Sequence, residues 1–189
     1  MDASAQAESA NPPLAELLFG NGQLPLYAIL DGASAPELVD NLFEHRPEYC
    51  CLYRGELEPD VASVAPYLVR LQPGSEFAEL VLSEGWGAHW GIFAFSNATL
   101  RALRDHFRDF HNVELPDQRT VLFRYYDPRV LRSFLPACNA IELRSFFGPV
   151  QSFLAEDELA ARALKFSFTG KALKAEAFQL KETEMVAAA

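Results

Sequence analysis

At 189 residues, half of them hydrophobic and 15 of them Phe, the chain suits one domain of ordinary size with a sizeable core. Its net charge is −10, and residues 1–90 alone carry 14 acidic against 3 basic groups, which argues against nucleic acid, whose binding rests on phosphate neutralisation. No apolar run approaches the roughly 20 residues of a membrane-spanning helix, and Met1–Asn11, rich in Ala, Ser, Asp and Glu, has neither the basic nor the apolar stretch of a signal peptide, so a disordered start and a cytoplasmic protein with no membrane partner are expected.

Residues 91–149 carry 6 acidic and 8 basic groups, and every lysine falls at or after Lys165. A solvated acidic surface accounts for the front half. The sharper alternative is an acidic face that steers a basic partner.

In chain order, Pro13–Phe19 suits a short helix, followed by a loop at Gly20–Gln23. Leu26–Leu30 is a compact apolar run ended by Asp31-Gly32, a turn pair, and reads as a buried strand. Ser34-x-x-Glu37 has the form of a capping box ahead of an amphipathic helix through Leu38, Val39, Leu42 and Phe43. Tyr49–Tyr53 is a second strand, Glu58–Val64 a helical turn, and Ala65–Leu71, including Tyr67, a third extended segment entered at a proline. Glu76–Glu84 reads as a helix with Phe77, Leu80 and Val81 on one face, and Gly85-Trp86-Gly87 turns the chain into a fourth strand over His89–Phe95. Asn97–Phe110 is strongly periodic, with Leu100, Leu103, Phe107 and Phe110 facing inward. Asp117-Gln118-Arg119 turns into a fifth strand, Thr120–Tyr126, which runs straight into a helix over Pro128–Leu135. There Asp127 is the N-cap and Pro128 takes the first helical position, where its missing N–H costs nothing. Asn139–Phe147 is helical up to Gly148-Pro149, Val150–Ala155 and Lys165–Thr169 alternate like half-exposed strands, and Ala172–Met185 reads as a charged, weak helix. Strands alternating with helices predict an α/β fold with a mixed, largely parallel sheet flanked by helices. The division expected is a flexible N-terminus over 1–19, an α/β domain over 20–149 and a small C-terminal subregion over 150–189.

Several near-motifs fail as chemistry. Gly85–Gly91 resembles a nucleotide loop, but its third glycine is one position late and it follows a helix and precedes a strand, the reverse of the dinucleotide context. His45 with Cys50 and Cys51 suggests a metal, but adjacent strand residues point to opposite faces, so reduced thiols are expected. His106 and His111, five apart, do not share a helix face. Asp31 and Asp127 both end strands, where α/β proteins keep functional acids. Asp127 already has a role as a cap, and no His, Cys or Lys is tied to either acid. Neither a catalytic group nor a cofactor is expected.

Separated segments then form an ordered series. They are Leu26–Ala33 (LYAILDGA), Leu52-Tyr53, Ala65-Pro66-Tyr67-Leu68-Val69-x-Leu71, Trp90-Gly91-Ile92 and Leu103-x-x-His106-Phe107-Arg108. Val121–Leu131 (VLFRYYDPRVL) and Phe146–Val150 (FFGPV) follow. Together they cover roughly residues 26–150 and resemble the type VI secretion effector adaptor-chaperone family, catalogued as domain of unknown function 4123. The resemblance implies a non-enzymatic protein that binds a toxic effector in the bacterial cytoplasm. It would help load that effector on the trimeric VgrG spike, or on a PAAR-containing tip. On this reading Asp31, Tyr67, Arg124, Tyr126, Asp127 and Arg129 are partner-binding or motif-structural residues, with Arg124, Asp127 and Arg129 holding the strand–helix junction. The region 151–189 is the expected source of client specificity, through strands that could pair with a partner strand. Two other classes stay open: an immunity-type protein that inhibits a toxin, and a small α/β enzyme using Asp31 and Asp127.

Overall fold

The structure, a computed structural model, describes residues 12–20, 24–114 and 118–181. The expectations placed on Met1–Asn11, on the loop at 21–23, on Asp117 and on the chain after 181 lie outside these residues.

Nine strands and seven α-helices occur among the described residues. The strands are β1 (Leu26–Asp31), β2 (Tyr49–Cys51), β3 (Pro66–Leu71), β4 (Gly91–Phe95), β5 (Asn112–Glu114), β6 (Thr120–Leu122), β7 (Ser152–Glu156), β8 (Arg162–Phe168) and β9 (Leu173–Gln179). The helices are α1 (Leu14–Phe19), α2 (Leu38–His45), α3 (Pro59–Ser63), α4 (Glu76–Leu80), α5 (Leu100–Arg108), α6 (Pro128–Ala137) and α7 (Ala140–Phe147). A π-helical turn, Val81–Gly85, extends α4. Seven strands form one sheet in the order β2-β3-β1-β4-β7-β8-β9, and β5 and β6 form a separate ribbon.

Helices cover both faces of the central strands. Leu18, Leu38, Leu42, Phe77 and Val81 pack with Ala28, Leu30, Val69 and Phe93 on one side. Leu103, Phe107, Leu131, Leu135, Leu143 and Phe146 pack with Tyr27, Ile29, Leu68, Ile92 and Phe153 on the other. Thr99 caps α5 by accepting the Ala102 N–H at 3.2 Å, and Asn139 with Glu142 closes a capping box on α7. Cys51 packs with the first cluster and Cys50 with the second, as period-two alternation requires.

The expected largely parallel sheet is overturned, because every strand pairing is antiparallel. That expectation rested on the alternation of strands with helices, and β1 is buried along its whole length. Such a strand has both faces covered, the usual condition of a parallel sheet. Here helices cover both faces of an antiparallel one. Strand direction depends on where each connection re-enters the sheet: β3 and β4 flank β1 on opposite sides, each antiparallel to it.

Four local expectations also change. Thr120–Tyr126 is not a fifth strand of the sheet: only Thr120–Leu122 is extended, paired with β5, and Leu122 remains half exposed. Arg124–Tyr126 is instead a turn, closed by the Asp127 N–H on the Arg124 carbonyl at 3.0 Å. The Ser34 capping box does not form. Glu37 holds the N-cap position in a left-handed conformation without a side-chain bond, and the Ser34 hydroxyl donates to Asp31 instead. The charged helix expected over 172–185 is strand β9 as far as Gln179, its backbone held by β8 along seven register pairs. The boundary expected at residue 149 falls within one continuous sheet, since β7 pairs with β4 through Phe93↔Leu154, Ala94↔Phe153 and Phe95↔Ser152.

Candidate functional site

Antiparallel order brings the end of β1, the start of β3, the start of β4 and the end of β7 to one end of the sheet, where Asp31 stands opposite Pro66 and Leu30 opposite both Tyr67 and Gly91. Three carboxylates are buried there: Asp31 at 1 %, Asp127 at 5 % and Glu156 at 2 % exposure. A buried carboxylate requires hydrogen-bond donors, and a counter-charge lowers its cost further; each of the three has found partners.

Asp31 accepts the Ala33 N–H at 3.1 Å and the Ser34 hydroxyl at 3.0 Å, and it forms an ion pair with Arg124. The turn at 124–126 therefore ties the end of β1 to the start of α6 across 93 residues of sequence. Asp127 accepts the Arg129 N–H at 2.9 Å as the N-cap and the Arg129 guanidinium at 3.0 and 2.7 Å. Burial pushes the Asp127 carboxyl up, but the hydrogen bonds from Arg129 and the fields of Arg129 and Arg124 outweigh it and hold the group below its ordinary value. Glu156 accepts the Gly87 N–H and pairs with the His89 ring, while its carbonyl accepts from Arg132 at 2.7 Å. Gly87 (φ 85°) and His89 (φ 60°) both turn through the left-handed region to present these donors. Arg129 also lies in the fields of Glu156 and Asp31, which joins the three pairs electrostatically.

The side chains that hold the acids remain accessible. The side chains of Arg124, Arg129 and His89 are 40 %, 53 % and 34 % exposed. The result is a row of exposed donors fixed from beneath by buried acids. Beside Glu156 a cleft lined by Leu30, Val81, Trp86, Trp90 and Phe93 has a volume of about 10 Å³, room for about one water. The larger cleft, about 190 Å³, lies at the opposite end of β3 and is lined by His45, Arg46, Glu48, Arg70 and Glu76. His45 there pairs with Glu76 at 3.4 Å rather than approaching a cysteine. Burial pushes the Cys50 thiol up to about 11, and among the described residues no three His, Cys, Asp or Glu converge as metal ligands.

The structure brings Asp31, Arg124, Tyr126, Asp127 and Arg129 together. Tyr126 is buried among Tyr125, Tyr53 and His111, and burial raises its phenol well above the ordinary value. Tyr67 starts β3 beside them but turns to the other face, where its hydroxyl donates to the Ala62 carbonyl at 2.9 Å and burial pushes it up to about 12. The reading from residues missed Glu156, His89 and Arg132. The Gly85–Gly91 turn was the available clue, because Gly87 aims its amide at a carboxylate that sequence distance hides.

No helix among the described residues is long and apolar enough to cross a membrane. No curated protein and no solved structure was found to match the chain. Residues 26–145, which include Asp31, Arg124, Asp127 and Arg129 but end before Glu156, match the family model described as "Domain of unknown function (DUF4123)", and the chain belongs to that family.

Proposed function

We infer that this protein is an adaptor-chaperone that binds a type VI secretion effector in the bacterial cytoplasm and helps load it on the VgrG spike or a PAAR-containing tip. The observation that carries the reading is the sheet end itself. The charged residues of the 124–129 stretch bond one another and Asp31, and so present rigid guanidinium heads at the surface. Arginine fixed in this way keeps unused N–H donors for a partner's carbonyls or carboxylates and loses little side-chain entropy on binding. The ordered series of segments from Leu26 to Val150 supports the same reading through the family resemblance.

The test is co-expression with the neighbouring candidate effector and spike protein, followed by pull-down and size-exclusion chromatography. A ternary complex that loses the effector when this chain is omitted supports the adaptor. Capture of the toxin alone, with loss of its activity, would replace this reading with an immunity protein. In the same assay Arg129→Ala, which keeps the Asp127 cap on the backbone, is expected to weaken effector capture about tenfold or more, as loss of an interface arginine does.

A further inference from the structure

The seven-stranded sheet has two edges, and they are built differently. At the β2 edge, three residues long, Arg108 closes the chain by donating to the carbonyls of Cys51 (3.0 Å), Leu52 (3.2 Å) and Tyr53 (2.9 Å). At the other edge β9 runs for seven residues, LKAEAFQ. Among the described residues, the backbone bond nearest its outer side lies past its end, from the Lys181 N–H to the Pro12 carbonyl at 3.3 Å.

The ladder shows which β9 groups face away from β8. The Thr169 N–H donates to the Ala172 carbonyl (3.0 Å) and the Leu180 N–H to the Ala161 carbonyl (2.8 Å). In an antiparallel ladder alternate residues face the neighbour, so Lys174, Glu176 and Phe178 turn their N–H and C=O toward β8. Leu173, Ala175, Ala177 and Gln179 turn theirs outward. The outward amide of Lys181 fits the same phase.

We propose that β9 pairs with β9 of a second copy of this chain, antiparallel and centred on Ala175, to make one continuous sheet across a two-fold axis. Three features select this occupant and this register. Centring on Ala175 sets Leu173 opposite Ala177 and Ala175 opposite itself, so that only outward-facing residues exchange hydrogen bonds, two per pair. It also sets Lys174 opposite Glu176 on both sides of the axis, in the closer, non-hydrogen-bonded positions; within one chain these two already pair at 3.0 Å. Centring on Lys174 or Glu176 would place like charges opposite each other, and centring between residues would break the hydrogen-bonding phase. Ala175 and Ala177, both exposed, leave no bulk in the way. The contact is isologous and closes as a dimer rather than a fibre. It does not rest on the adaptor reading.

Sedimentation equilibrium of the full chain, with circular dichroism as a folding control, tests it. The expected result is a reversible monomer–dimer equilibrium with a Kd between about 10 µM and 1 mM, as suits a small interface. Ala175→Pro removes an outward N–H that β8 does not use, and Glu176→Lys sets lysines opposite each other. Each is expected to raise Kd about tenfold or more while leaving the monomer folded, and the Lys174→Glu/Glu176→Lys exchange is expected to restore it. A monomer at every concentration, a dimer indifferent to both single variants, or a dimer seen only after removal of residues 1–11 would overturn the proposal.

Discussion

Asp127 serves two purposes, as the cap of α6 and as the counter-charge of Arg129. Asparagine keeps the first and loses the second. Asp127→Asn is therefore expected to cost under about 1 kcal/mol and Asp127→Ala about 1 kcal/mol more, measured by urea unfolding. Asp31 has no such tolerance for losing its partner. Arg124→Ala leaves a carboxylate 1 % exposed with only an N–H and a hydroxyl, and should cost about 2 kcal/mol; a fully buried pair would cost more, but Arg124 is part solvated. An Arg124→Ala protein with unchanged unfolding midpoint would remove the ion pair from the account. The histidines set the acid side of the stability profile. Burial pushes the ring pKa down at both His106, against the Phe146 carbonyl, and His111, among Tyr53, Tyr125 and Tyr126; the fields of Arg108 and Arg54 add to it at His111. The unfolded chain binds these protons more tightly, so stability is full above the ordinary value of 6.5 and is lost as pH falls through the lower folded values. The folded pKa of Asp127, held below 3.8, adds a second loss of the same sign at more acidic pH. A melting temperature that does not fall between pH 7.5 and pH 5, or ring resonances that titrate at or above 6.5, would contradict this.

At the element scale, β1 and its neighbour β4 leave no room for a side chain at Gly91. A Cβ on Gly91 would stand 2.0 Å from the Ile29 carbonyl oxygen and 2.9 Å from its carbon, both backbone atoms that cannot turn aside. Gly91→Ala is expected to lose about 3 kcal/mol or to fail to fold, and a soluble variant with native melting temperature would show that the two strands can part. This also explains the glycine within Trp90-Gly91-Ile92, which the reading of the segment as a strand left without a reason. The helices were largely visible as periodicity: Leu103 and Phe107 of α5 are fully buried, as their spacing indicates. The shortness of β6, which ends at Leu122, was not, because Val121-Leu122-Phe123 has the composition of a buried strand while its partner is only the short β5. Ser34 was misread because a hydroxyl can cap a helix or bond a buried carboxylate, and Asp31 lies three residues before it. The β9 segment, with Lys and Glu among alanines, has helical propensity; its strand form comes from pairing with β8, a tertiary override.

At the scale of the whole molecule, residues 150–181 are part of the main body. Phe153, Leu154, Ala155 and Ala163 are fully buried, and β7 lies between β4 and β8. Removing 151–189 should therefore unfold the protein, which circular dichroism would show, and loss of effector binding in that deletion would say nothing about specificity. A folded deletion protein would mean that the sheet closes at β4. The sheet end with Asp31, Asp127 and Glu156 likewise exists only in the assembled molecule, since two of its three pairs join distant positions, 31 with 124 and 89 with 156.

Local chemistry is written in the chain. Asp127-Pro128 caps a helix, Asn139 and Glu142 make a capping box, the buried strand at Leu26–Leu30 shows as an apolar run, and the segments from Leu26 to Val150 already point to the family. These depend on neighbours in sequence, and so can be read from it. Strand direction, the join of β7 to β4, the His89–Glu156 pair and the role of Arg124 as partner of Asp31 depend on which distant segments come to lie side by side. Hydrophobic patterning is silent on that choice, because burial is non-directional and the same apolar strand satisfies a parallel or an antiparallel neighbour equally well.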